Sequence, residues 1–139
     1  MSEDPMRADH SLVHDYFAGV TAGNLPDDLL TADMTAWLTT RDQVDKATYQ
    51  AMIRDLAKVC ATPLTFTIDS ITAEQDRVVA ETRSQCVLAS GDDYAMTYVF
   101  VFRIRDGRIA SVAEHYNPLI VQDKIMPLLI RLREGRAGR

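Results

Sequence analysis

Tyr94-Ala95-Met96-Thr97-Tyr98-Val99-Phe100-Val101-Phe102-Arg103-Ile104-Arg105-Asp106-Gly107-Arg108-Ile109 is the stretch that decides the fold. Its even positions, Tyr94, Met96, Tyr98, Phe100, Phe102 and Ile104, are all large and apolar or aromatic, and its odd positions are smaller or charged. Successive side chains alternate faces along a strand, so the pattern predicts one long strand whose even face lies on a core. Asp106-Gly107 marks a tight turn into a second strand over Arg108–Asn117. Two more runs of period two, Leu64–Thr72 and Arg77–Ala89, precede it, with Gly91-Asp92-Asp93 as a turn.

Upstream, the period changes to that of helices. Residues 9–22 place Val13, Tyr16, Phe17 and Val20 at i, i+3, i+4 and i+7, and Gly23-Asn24 supplies the stop. Asn24–Leu30, with Pro26 near its first turn, fits a short second helix. Met34–Thr40 reads as a strand centred on Trp37. A second long helix, about Lys46–Cys60, buries Tyr49, Met52, Ile53, Leu56 and Cys60 behind an Asp45 N-cap. After Pro118, Leu119–Arg133 is helical again, and Pro127 must kink or break it. That segment either closes a pocket mouth or meets a partner. The Gly135–Arg139 tail is expected to fray. Helices followed by an antiparallel meander predict an α+β fold, a curved, cone-shaped sheet wrapped around the N-terminal helices with one end open.

The composition narrows the function. The 139 residues, 47% apolar, predict a single domain over residues 1–139 with its core at about 8–127. Net charge is −5, and four of the arginines lie beyond residue 130, so the remainder is more acidic still. No basic surface for nucleic acid or anionic lipid is expected. The six glycines form neither G-x-G-x-x-G nor a P-loop, so no nucleotide cofactor, and no other cofactor, is expected. His10 and His14 have i, i+4 spacing but no third ligand, and no metal is expected. Cys60 and Cys86 lie in neither a C-x-x-C nor a disulfide framework. Met1–Asp9 lacks an apolar leader core, and no apolar run is long enough to span a membrane. A reduced, cytoplasmic protein without a membrane partner is the expectation. Neither Ser84 nor Cys86 has a His/Asp arrangement to make it a nucleophile.

Three strings carry a resemblance: Tyr16-Phe17-Ala18-Gly19-Val20-Thr21-Ala22-Gly23-Asn24-Leu25, the Tyr94–Ile109 stretch, and Glu114-His115-Tyr116-Asn117-Pro118-Leu119. Over roughly residues 8–127 the chain resembles the nuclear transport factor 2-like superfamily, in its SnoaL-like and ketosteroid isomerase-like branch. The resemblance implies a cystatin-like half-barrel with a mixed sheet, a small apolar ligand, and a homodimer through the outer sheet face. In ketosteroid isomerases the oxyanion-hole tyrosine falls on Tyr16. The general-base aspartate falls on Leu38 and the second, protonated aspartate on Phe100, so this chain departs from that mechanism at two of three positions. In limonene epoxide hydrolase-like members an Asp-Arg-Asp set falls on Gln85, Arg83 and Glu114. Their water-holding residues have no equivalents among Ala36, Trp37 and Leu38.

Parity sorts the candidates. Glu81, Arg83 and Gln85 share one face of their strand. Facing inward, they would have to pair within an aromatic cavity; facing outward, Arg83 and Glu81 are a solvated or dimer-face ion pair. For the last hairpin, a two-residue turn sets Tyr98 opposite His115. A three-residue loop sets Tyr98 opposite Glu114 and Met96 opposite Tyr116, and is preferred because it agrees with the resemblance. Under it Glu114 and Tyr116 face inward, while a one-residue slip would bring His115 in instead. The expected site has Glu114 as general acid/base beside Arg83, with Tyr16 donating to a carbonyl or epoxide oxygen. Its walls are Trp37, Leu38, Met52, Glu81, Gln85, Met96, Tyr98, Phe100, Val112 and Tyr116. The function expected is an isomerase, cyclase, dehydratase or hydrolase acting on a small apolar carbonyl, epoxide or polyketide- or steroid-like molecule. The alternative is a non-catalytic ligand-binding or dimerisation module, in which Tyr16 and the aromatic stripe only pack a core.

Overall fold

A computed structural model describes residues 5–137. In chain order the elements are α1 (Pro5–Ala22), a 3-10 turn (Asp27–Leu29), β1 (Leu30–Leu38), β2 (Asp42–Asp45) and α2 (Lys46–Lys58). Then follow β3 (Thr65–Glu74), β4 (Arg77–Val87), β5 (Asp93–Arg105) and β6 (Arg108–His115). The chain ends in α3 (Pro118–Ile120), a π turn (Val121–Ile125) and α4 (Met126–Ala137). The strands form one curved, unclosed sheet in the order β2-β1-β6-β5-β4-β3. Only β1 and β6 run parallel, so the sheet is mixed and the class is α+β.

Several expectations change in detail. The short helix over Asn24–Leu30 contracts to one 3-10 turn, because Leu30 already pairs with Ile109 in the sheet. The four-residue β2 was not expected; it is mostly exposed and has no apolar alternation to betray it. Asp45 does cap α2, its Oδ1 accepting from the Thr48 N–H at 2.8 Å. Pro127 neither breaks nor visibly ends the last helix. It has no N–H to donate back along an α-helix, and a π turn immediately before it accommodates that defect. The tail expected to fray is helical as far as Ala137, and Arg136 is tied to the Asp55 carboxylate of α2 by two hydrogen bonds of 3.2 Å. Gly138, Arg139 and the first four residues of the Met1–Asp9 segment lie outside the described residues.

The last hairpin differs most instructively. Asp106 (φ 54°) and Gly107 (φ 72°) are both left-handed, the signature of a two-residue type I′ turn, and Arg105 pairs with Arg108. The expected three-residue loop is therefore corrected. One extra residue, Ala110, then bulges from β6, so that Ile104 pairs with Ile109 but Arg103 pairs with Ser111. Beyond the bulge Phe100 pairs with Glu114 and Val99 with His115. Tyr98 thus faces neither Glu114 nor His115, yet Glu114 still points inward, because the bulge restores the parity that the tight turn reverses.

The even side chains of β5 line the concave face as expected: Tyr94, Met96, Tyr98, Phe100 and Phe102 are all buried. Tyr16 and Phe17 of α1 pack into them edge to face, with ring centroids 5.0 Å apart for Tyr16–Phe102 and for Phe17–Phe100. Such contacts contribute about 1 kcal/mol each beyond burial. Cross-strand pairing sets Leu38, Glu114, Phe100, Ala80 and Ile71 in one row of the inner face. On the outer face the neighbouring row is Trp37, Ala113, Val101 and Val79.

At the end of α1, Gly23 is left-handed (φ +74°), and a Cβ there would lie 2.6 Å from the Ala57 Cβ of α2. Gly23→Ala should therefore lose about 2 kcal/mol of unfolding free energy, combining left-handed strain with a forced shift between α1 and α2. Urea unfolding measures this, and a loss within experimental error would contradict that close approach.

Candidate active site

A cavity of about 580 Å³ opens between the concave sheet face, α2 and the C-terminal helices. The α2 stripe contributes Tyr49, Met52, Ile53 and Leu56 at i, i+3, i+4 and i+7. The C-terminal segment adds Val121, Ile125, Met126 and Leu129, which lie on one side because the π turn keeps the helix continuous past Pro127. From the sheet come Leu38, Tyr94, Tyr98, Glu114 and Tyr116. The exposed lining residues Thr40, Arg41, Gln122 and Arg133 mark the mouth.

Glu114 is the one carboxylate on the sheet side of this cavity. Its backbone is pinned: the Glu114 carbonyl accepts from the Thr39 N–H (3.2 Å) and the Thr39 hydroxyl (3.0 Å). The Tyr49 hydroxyl donates to Glu114 Oε2. Tyr16 and Tyr49 are hydrogen-bonded through their hydroxyls, and since the Tyr49 proton is committed to Glu114, Tyr16 is the donor. The chain Tyr16–Tyr49–Glu114 thus runs from the packed core to the cavity. Burial among apolar neighbours disfavours the charged carboxylate and pushes its pKa up to about 7, against the opposing hydrogen bond from Tyr49. The phenols respond in turn. Burial raises Tyr16 and Tyr49 well above 10, with the Glu114 charge adding to it, and pushes Tyr94 up to about 12. They remain neutral, and hence hydrogen-bond donors, through the physiological range. Tyr98 is bonded to the Ser84 hydroxyl at 2.8 Å, with the Tyr94 hydroxyl 3.5 Å away.

The structure gathers part of the expected set and disperses the rest. Glu114, Leu38, Met52, Tyr98 and Tyr116 line the cavity. Tyr16 does not reach it; at 1% exposure it lies behind Tyr49, so direct donation to a ligand is corrected to support of Tyr49. Arg83 is on the outer face, where Nε and Nη2 each meet an Asp69 carboxylate oxygen at 2.9 Å. The expected inward Arg83–Glu114 pair is therefore absent. Glu81 is exposed and bonded to Ser70, and Gln85 is exposed on the same side. Met96, Phe100 and Val112 are buried in the core and are not cavity walls. Trp37 is on the outer face, its ring 4.9 Å from that of His115, so neither enters the cavity.

Sequence reasoning missed Tyr49 and Tyr94 as site residues, whereas the C-terminal segment lines the cavity, in keeping with one of the two roles expected of it. Tyr49 was visible as part of a helical stripe, but nothing local shows that its hydroxyl meets a carboxylate 65 residues away. Tyr94 stands on the inward face of β5 with Tyr98, a signal that alternation does contain.

The family model for SnoaL-like domains matches residues 13–112, and the chain belongs to that family. Three solved structures illustrate the fold. An NTF2-like protein from Anabaena variabilis superposes with a TM-score of 0.74 at 20% identity, covering 84% of this chain and 94% of its own. A proposed SnoaL-like polyketide cyclase from Jannaschia sp. CCS1 gives 0.73 at 18% identity, covering 90% and 96%. IdmH from Streptomyces antibioticus, a proposed polyketide cyclase, gives 0.71 at 16% identity, covering 82% and 95%. A comparison with curated proteins finds no match.

Two outcomes follow for Glu114. Tyr49→Phe removes the bond that favours the carboxylate, so the Glu114 titration should move above 7; carbon-13 NMR of labelled glutamate checks this, and a downward shift would contradict the Tyr49 contact. The folded pKa (about 7) exceeds the ordinary value of 4.5. The native state therefore binds the proton more tightly, and this stabilisation is complete below pH 4.5 and lost as pH rises through 7. Replacing the ionisable group by Glu114→Gln should remove up to about 3 kcal/mol of the stability difference between pH 5 and pH 8, read by urea unfolding. Equal pH dependence in both proteins would contradict the shift.

Proposed function

We propose that this chain is an enzyme that moves protons on a small, largely apolar carbonyl compound, with Glu114 as general base and acid. The observation that carries this reading is a carboxyl bonded by Tyr49 on the wall of an open, largely apolar cavity, where burial pushes its pKa up to about 7. A group half ionised at neutral pH both takes a proton and returns it. In the step proposed, a C–H bond next to the carbonyl breaks and its proton passes to Glu114, while the electron pair moves onto the carbonyl oxygen. A neutral phenol, Tyr94 or Tyr98, donates to that oxygen as charge develops. In an unsaturated ketone, return of the proton to the far carbon of the dienolate completes an isomerisation. Where a second carbonyl is present, the enolate carbon attacks it, its C=O pair moves onto oxygen, and Glu114 returns the proton to that oxygen to complete a cyclisation.

By the resemblance stated above, the isomerase acids fall on Leu38 and Phe100. Glu114 sits between these two positions in the same cross-strand row, so a carboxylate at the same level is supplied by the neighbouring strand. Epoxide hydrolysis is less well supported, since Arg83 and Gln85 lie outside the cavity. The proposed cyclase activity of the Jannaschia and Streptomyces antibioticus proteins agrees with carbonyl chemistry.

The reading includes a cytoplasmic homodimer. The apolar outer row Trp37, Ala113, Val101 and Val79, flanked by Val99 at 37% exposure, supports a second copy on that face. Both cysteines are free thiols, in keeping with a reducing compartment. Among the described residues no helix is long and apolar enough to cross a membrane.

Proton–deuterium exchange tests the chemistry without knowledge of the natural substrate. Aryl 1,3-diketones and cyclic enones in deuterated buffer, followed by NMR, should exchange faster with the protein, with a rate that rises through an inflection near pH 7. Glu114→Gln should lower the protein-dependent rate by at least about a hundredfold. Undiminished exchange in that variant would remove Glu114 from the mechanism.

A further inference from the structure

We propose that the ligand is an amphipathic anion whose apolar body fills the cavity and whose anionic terminus is held at the mouth by Arg41 and Arg133. The inference rests on the small-molecule reading above and names its substrate class.

Charge at the mouth runs against the character of the chain. The protein carries a net −5, yet two of the three charged side chains lining the outer cavity are arginines, Arg41 and Arg133. The third, Asp55, is already engaged by Arg136 at 3.2 Å and Lys58 at 3.9 Å. Arg83, Arg103, Arg105 and Arg136 each meet an aspartate, whereas Arg54, Arg77, Arg108 and Arg131 form no such pair among the described residues but do not line the cavity. Among the described residues Arg41 and Arg133 make no salt bridge. A guanidinium left without a carboxylate at the edge of an apolar cavity is suited to the planar anion of a ligand.

Their positions are structurally determined. Arg41 lies in the turn between β1 and β2, next to Thr40, whose hydroxyl is bonded to the Tyr116 hydroxyl at 2.6 Å. Arg133 follows Met126 and Leu129 on one face of α4, and Arg136, one turn further on, is fastened to α2. The two arginines therefore line the mouth from two different walls. Glu114 sets the orientation, because its ionised form repels an anion from the inner end, and in either form it leaves the apolar end to enter first.

The test compares decanoate with decanol, which share an apolar body and differ in charge, by isothermal titration calorimetry at pH 7.5. Wild-type protein should bind decanoate about tenfold more tightly than decanol, a preference that shrinks at high salt. The double variant Arg41→Gln, Arg133→Gln should lose the preference while keeping the affinity for decanol, which also shows that the cavity is intact. Lysines at both positions should retain part of it. Equal binding of both probes by wild type, or a preference that survives in the double glutamine variant, would overturn the inference. So would binding of neither probe. Because the readout is binding, it separates from the catalytic reading: proton exchange lost in Glu114→Gln with no anion preference in wild type sinks only this inference, and the reverse pattern sinks only the chemistry.

Discussion

Everything in the site depends on one desolvated carboxyl. Glu114 stands in the middle of a curved sheet, between Leu38 and Phe100, and among the described residues its only side-chain hydrogen bond is from Tyr49. A carboxylate in such surroundings is costly, and the protein responds by holding the proton rather than by supplying a cation. Arg83, the cation nearest to hand in the sequence pattern, is spent on Asp69 outside. The result is a carboxyl poised near neutrality. Its support extends inward through Tyr49 to Tyr16, and Tyr16 is itself locked by Phe17 and Phe102. The aromatic core thus serves as the foundation of the site as well as the foundation of the fold.

Position of that carboxyl is set by a one-residue irregularity. Without the bulge at Ala110, the tight Asp106-Gly107 turn would place His115 on the inner face and Glu114 on the outer. Ile109 and Val112 are both buried, which requires the change of parity between them. The bulge is therefore enforced by the core on both sides of it. The parallel partner β1 reinforces the choice, since Thr39 binds the Glu114 backbone through both its amide and its hydroxyl.

Much of this was legible in particular residues. The alternation from Tyr94 to Ile104 shows β5 and its buried face outright, and the α2 stripe shows the helix that covers it. A longer loop and a tight turn followed by a bulge both bring Glu114 inward, and the sequence does not separate them because register is a property of two strands together. Arg83 is more telling. In β4 the positions Val78, Ala80, Thr82, Ser84 and Cys86 are small or apolar and buried, and their neighbours Glu81, Arg83 and Gln85 are polar and exposed. Alternation alone assigns Arg83 to the outer face, and only a resemblance drew it inward. Trp37 erred for the opposite reason: a large apolar residue mid-strand looks interior, but its register partner is Ala113 on the convex row. The C-terminal segment was legible as one of two alternatives, but the role of the Tyr49 hydroxyl was beyond reach, since it depends on a contact 65 residues away in the chain.

The most direct measurement is the titration of Glu114 in the wild-type protein, followed by the carbon-13 carboxyl shift of labelled glutamate and assigned by its loss in Glu114→Gln. The account requires a midpoint near 7, well above the ordinary 4.5. A midpoint at the ordinary value would mean a solvated carboxyl, and the desolvated acid/base on which the site is built would not exist.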